Sequence, residues 1–116
     1  EQMIQVLSNL IKNALDAMPG GGEISILLED TLSDVSIIVG DSGTGIKEED
    51  RVKIFEPFYT TKGLGHGTGL GLATTYGIVK MHKGQITVES NTDPAKGPTG
   101  TRFRIVLPRK KERDER

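Results

Sequence analysis

Apolar residues at the start of the chain recur at steps of three and four. Met3, Ile4, Leu7, Ile11, Ala14, Leu15 and Met18 cover one face, and the spacing predicts an amphipathic helix from Met3 to Met18. Gln5, Asn9 and Asn13 fall at steps of four and stack along a different, polar stripe of that helix. Pro19-Gly20-Gly21-Gly22 ends it. The period then changes to two. Ile24, Ile26 and Leu28 alternate with Glu23, Ser25 and Leu27, and Val35, Ile37 and Val39 alternate with Ser36 and Ile38. Across the polar turn Asp30 to Asp34 this predicts a hairpin. Lys47 to Phe55 reads as a short helix with acids at its start, stopped at Glu56-Pro57. From Phe58 to Gly67 no period survives, which predicts a mobile loop hinged at Gly63, Gly65 and Gly67. Gly69 to His82 predicts a second long helix with its stop at Lys83-Gly84, followed by a strand over Gln85 to Ser90. In the last strand Phe103, Ile105 and Leu107 alternate with Arg102, Arg104 and Val106. Pro108 closes it, and Arg109 to Arg116 reads as a solvated charged tail.

This order of elements predicts an α+β fold, a two-layer α/β sandwich whose sheet is mainly antiparallel with the helices on one face. A doubly wound parallel sheet is disfavoured, because two strands are joined by a tight turn. At 116 residues the chain reads as one domain, able to bury roughly 65% of its unfolded surface. Net charge is −1, so nothing pulls the surface toward nucleic acid or anionic lipid, and any phosphate binding must be local. With no cysteine, disulfides and thiolate metal sites are excluded. The sequence has no apolar run of membrane-spanning length and no signal peptide, which reads as cytoplasmic with no direct membrane contact. It opens without a methionine and already inside a helical pattern, as expected of a piece of something longer.

Candidate chemistry sits where glycine clusters meet helices. In Gly65-His66-Gly67-Thr68-Gly69-Leu70-Gly71-Leu72-Ala73 a glycine run becomes a helix, a junction that suits phosphate through close backbone approach and unpaired helical amides. A second cluster, Gly43 and Gly45, follows Asp41. Asp41 comes directly after an apolar strand and would place a carboxylate at the floor of a pocket. Such an acceptor suits the exocyclic amine of adenine and discriminates against guanine, whose carbonyl would face it. Asp41 could equally cap its own turn, as Asp-Ser-Gly often does. Asn13 offers a neutral hard oxygen suited to magnesium, and Asn9 one turn earlier could reach the same metal or phosphate. Both could instead be solvated or cap something locally.

The succession Asn9-Leu10-Ile11-Lys12-Asn13-Ala14, Asp41-Ser42-Gly43-Thr44-Gly45-Ile46, Phe55-Glu56-Pro57-Phe58-Tyr59-Thr60-Thr61-Lys62 and Gly65 to Ala73 resembles the ATP-binding catalytic domain of sensor histidine kinases. Gly100-Thr101-Arg102-Phe103 and Leu107-Pro108 look like the close of the same domain, so the likeness covers residues 2–108 and leaves the tail 109–116 outside. It implies the Bergerat fold shared with gyrase and MutL ATPases. It implies ATP and magnesium as cofactors, with Asn13 as the metal ligand, Asp41 on the adenine amine and Thr101 supporting the adenine through water. Gly43 and Gly45 would let the backbone close over the base beside Ile46. Gly67, Thr68, Gly69 and Leu70 would hold phosphates, with Phe55 to Gly67 as a lid. Asn9, Lys12, Thr60, Thr61, Lys62, Gly65 and His66 complete the implied ATP-binding set, and Asn9 and Lys62 are the catalytic candidates.

The likeness also implies partners: a histidine-containing dimerisation domain, a response regulator receiver domain and a homodimeric parent. At the position of Asn9 the hydrolytic relatives carry an acid that activates water, and an amide cannot take a proton, so hydrolysis should be slow. Many histidine kinases place a basic residue three positions after the magnesium asparagine. Here that position is Asp16, which shifts charge neutralisation to Lys62 and then Lys12. His66 and His82 are expected to be non-catalytic, so the acceptor lies elsewhere. The family's domain begins with a strand ahead of the asparagine helix, and its lack here predicts a bare sheet edge open to pairing with other chains. A nucleotide-dependent clamp that hydrolyses ATP and a serine kinase of the anti-sigma type are the competing readings. Asn9 and the Phe55 to Lys62 box speak against the clamp, and the Phe-Glu-Pro-Phe stretch against the serine kinase.

Overall fold

The computed structural model describes residues 2–56 and 71–109. The elements are helix α1 (Gln2–Asp16), strands β1 (Ile24–Asp30) and β2 (Asp34–Asp41), a single-turn helix α2 (Glu48–Arg51), helix α3 (Gly71–Met81), and strands β3 (Gln85–Asn91) and β4 (Gly100–Pro108). The strands form one four-stranded sheet in the order β1-β2-β4-β3, antiparallel throughout. The expected α+β sandwich is present, with α1 and α3 packed side by side against one face.

Register explains which residues make the core. Val39 lies opposite Ile26 and Phe103, and Ile37 opposite Leu28 and Ile105, while Ile105 in turn pairs with Ile86. These side chains share one face of the pleat. Ile37, Val39, Ile86, Phe103 and Ile105 are buried there beneath Val6 and Leu10 of α1 and Ile78 and Val79 of α3. Burying such side chains is worth about 1.5–3 kcal/mol each, which makes this seam the main source of stability.

The expected hairpin is present, and its outer strand shows what alternation leaves open. Ile26 and Leu28 point to the helical side in register with the core, yet they are 52% and 67% exposed. β1 is an edge strand of this sheet, and the helices cover the strands inside it. Leu27, on the other face, is also exposed. The two carboxylates of the strand are held by basic side chains: Arg104 donates to Glu29 at 3.1 Å, and Arg109 donates to Asp30. Arg109 also bonds Thr31 and Ser33 through its side chain and its backbone amide. It therefore clasps the hairpin turn, and the rest of the expected tail, 110–116, lies outside the described residues.

One boundary departs from expectation, and another falls where the sequence placed it. The helix expected over Lys47 to Phe55 stops after one turn and the chain continues in tighter turns, with the Lys53 amide on Asp50 O and the Glu56 amide on Lys53 O, each at 2.9 Å, while the Arg51 guanidinium reaches Ile46 O at 3.2 Å and Ser90 O at 2.8 Å. Phe55 is then drawn inward, with its ring 5.4 Å from Tyr76 and 6.3 Å, edge-on, from Phe103. The stop after α3 is built on Lys83, at φ 62°, with the Gly84 amide reaching back to Val79 O at 2.9 Å. His82 sits at that helix end, with Nε2 3.1 Å from Gln2 Oε1.

Candidate functional site

The polar stripe of α1 runs between two anchoring points. At one end Asn9 Nδ2 donates to Gly71 O at 3.2 Å and to Thr75 Oγ1 at 3.3 Å, fastening α1 to the first turn of α3. At the other end the turn after β2 abuts the end of α1, where a side chain at Gly43 would meet Ala17 O at 2.6 Å. Asn9 and Ala17 are separated by about 12 Å along the helix axis. Asn13 lies between them, half-buried, with Lys12 exposed beside it. The stripe thus links the start of α3 to the acidic turn.

Asp41 closes β2 directly opposite Thr101, the second residue of β4. Its Oδ1 accepts from the Gly43 amide at 2.8 Å, and the Thr101 amide also donates to the carboxylate. The turn-capping role is therefore real, and it coexists with a half-buried acid. Burial pushes the Asp41 carboxyl above its ordinary value, against the two backbone hydrogen bonds that pull it down. An acceptor fixed by its own backbone is pre-oriented toward whatever enters beside it.

The loop from Gly43 to Ile46 is held by residues that the motifs do not name. Gly45 has φ 87° and lies so close to Asn91 O that no Cβ fits, so glycine is obligatory there on packing grounds alone. Ser90 Oγ accepts from the Ile46 amide at 2.7 Å and donates to Gly100 O at 2.8 Å, which leaves the Thr101 hydroxyl, 2.9 Å away, as a donor to it. Arg51 adds its bonds to Ile46 and Ser90. Ser90 and Arg51 are invisible to pattern reading because the bonds that join Ser90 to Arg51 and to Ile46 span 39 and 44 positions.

Asn9, Lys12, Asn13, Asp41, Gly43, Gly45, Ile46 and Thr101 are therefore brought to one end and one flank of the helical layer. Thr60, Thr61, Lys62, Gly65, His66, Gly67, Thr68, Gly69 and Leu70 lie outside the described residues. Among the described residues no cluster of three or more His, Cys, Asp or Glu side chains could hold a metal. One carboxamide oxygen fits a hard cation that keeps its waters and takes the rest of its ligands from phosphate. No helix of the described residues is long and apolar enough to cross a membrane.

A family model described as histidine kinase-, DNA gyrase B-, and HSP90-like ATPase matches residues 1–111. The chain belongs to this ATPase family. Within it, the domain is 45% identical over 109 residues to sporulation kinase A of Bacillus subtilis (strain 168), covering 94% of this chain and 17% of that relative. The chain spans about a sixth of the length of that kinase. Among solved structures it is similar to a mycobacterial sensor histidine kinase, MprB, with TM-score 0.81 and 32% identity, covering 92% of this chain and 72% of the other. The nucleotide-free catalytic domain of histidine kinase ThkA matches with TM-score 0.78 and 39% identity, over 92% of this chain and 66% of the other. The likeness to these solved catalytic domains agrees with the four-stranded antiparallel sheet and its helices described above.

Proposed function

We propose that the chain is the catalytic unit of a two-component sensor histidine kinase: it binds magnesium ATP and donates the γ-phosphoryl group to a histidine on a separate dimerisation domain. A response regulator receiver domain would take the phosphoryl group next. The observation that carries this reading is the polar stripe of α1, with the pre-oriented Asp41 acceptor at one end and Asn9, fastened to α3, at the other. That span suits a purine at the acid and a phosphate chain at the start of α3.

Asn13 would hold magnesium, which when bound neutralises phosphate charge. Asp41 binds and orients the base, and the Gly43 to Ile46 loop packs beside it. In the transfer, the imidazole nitrogen of the acceptor forms a bond to the γ-phosphorus as the bond to the bridging oxygen breaks, and ADP leaves with that electron pair. Asn9 has no basic atom with which to deprotonate water, which favours transfer over hydrolysis.

Mixing the chain with γ-labelled ATP and a separate helical histidine domain tests the reading: label on histidine is expected. Label on serine, or release as free phosphate alone, overturns it. In the same mixture Lys62→Ala is expected to lower transfer at least about tenfold, as loss of a charge on the transferring group does, while ADP affinity measured by calorimetry changes less than about twofold. Equal losses in both would remove Lys62 from the transfer step.

A further inference from the structure

Thr75 is fully buried in the middle of α3 and carries a hydroxyl into the seam with α1. A β-branched aliphatic residue would fill that volume without the cost of burying a polar group. Among the described residues the hydroxyl meets the Asn9 carboxamide, at 3.3 Å. Gly71, the other partner of Asn9, stands one helical turn before Thr75, so a single turn of α3 supplies both contacts.

These contacts settle which way the carboxamide points. The Gly71 carbonyl can only accept, so the nitrogen side of Asn9 must face it. The Thr75 oxygen takes the second hydrogen of the same nitrogen. With both N–H groups turned to α3, Oδ1 is the atom Asn9 can offer to a ligand.

We propose that Thr75 is a positioning residue: through its hydroxyl it locks the Asn9 carboxamide so that Asn9 meets magnesium-bound nucleotide with an acceptor oxygen and not with an N–H. This rests on the magnesium-ATP reading given above. An oxygen serves a cation or the hydrogens of its bound water, whereas an N–H would serve a phosphate oxygen. Without the hydroxyl the carboxamide keeps only its bond to the Gly71 carbonyl and is free to swing about it, so Oδ1 is no longer held in one direction. The effect is that of an outer partner orienting a group that faces a metal.

Calorimetric titrations of the wild-type chain, Thr75→Val and Thr75→Ser separate this from mere packing. The probes are the β,γ-imido analogue of ATP with excess magnesium, and ADP in the presence of a chelator. Thr75→Val, which keeps the shape of the side chain, is expected to lose about tenfold in affinity for the magnesium-loaded analogue. Its affinity for metal-free ADP should stay within about twofold of wild type, and Thr75→Ser should restore the magnesium-loaded affinity. In the ligand-free protein, the Asn9 side-chain amide protons should give two separate, exchange-protected NMR signals that move toward solvent-exposed values in Thr75→Val only. Equal loss for both probes, no loss for either, failure of serine to rescue, or unchanged Asn9 signals would each overturn the proposal. If the wild-type chain binds no adenine nucleotide, the proposed function fails instead, and the Asn9 signals still decide whether Thr75 fixes the carboxamide.

Discussion

Asp41→Asn should cost about a hundredfold in ATP affinity while making the ligand-free protein more stable at neutral pH. The loss follows from geometry: Oδ1 is already committed to the Gly43 amide, so the asparagine nitrogen takes the place of the second oxygen. A donor then faces the adenine amine, itself a donor. Leaving such a group mispaired is worth roughly 2–3 kcal/mol. Stability moves the other way because burial raises the carboxyl's folded value above its ordinary one. Between those two values the folded chain holds more protons than the unfolded chain, so stability falls as pH rises through that window. Above it the buried charge is a standing cost that the amide removes, and below the ordinary carboxylate range the gain disappears. Calorimetric titration with ATP and thermal melts across pH check both halves. An Asp41→Asn protein that bound ATP like wild type would remove Asp41 from the adenine pocket.

Leu10→Ala should be the most damaging single truncation in the helical layer. Leu10 is 1% exposed, with Val6 and Ala14 on the same buried stripe, and it belongs to the buried cluster that holds Val39 and Ile105. Removing its side chain costs about 3–4 kcal/mol from lost transfer and cavity formation together. For a chain of this size that lowers Tm by roughly 15–25 °C. Ile4→Ala on the same helix is the internal comparison, because Ile4 is 65% exposed and its truncation should cost no more than about 0.5 kcal/mol. Urea or thermal unfolding of both variants makes the measurement. Similar losses would mean that α1 packs on a different face.

Periodicity exposed α1, the hairpin, α3 and the last strand because each buries one face against a neighbour, and that burial writes the period into the sequence. It failed at α2. There the acids of Glu48, Glu49 and Asp50 signal a helix start, but after Arg51 the backbone passes into tighter turns, and the Arg51 side chain is tied to Ser90 on β3, a partner 39 positions away. At β1 it found the strand and its pairing but not its exposure, since alternation reports which side a residue faces and says nothing about whether a helix extends far enough to cover it. Ser36, Ile37, Ile38 and Val39 are buried in succession on β2, where Ile38 faces away from the helices beside the Arg104 stem on β4. In the site, Asp41 was legible because an acid at the end of an apolar run is unusual. Thr75 and Ser90 were not, for a buried hydroxyl looks like any other threonine or serine until its distant acceptor is in view.

The strand order has a consequence for biosynthesis. β4 comes last among the strands yet lies between β2 and β3, so it supplies the hydrogen-bond ladder on both sides of the sheet. Until it leaves the ribosome, the β1–β2 hairpin and β3 have no shared backbone contact. Among the described strands, β3 therefore gains its ladder, and β2 its second one, only after β4 has been made.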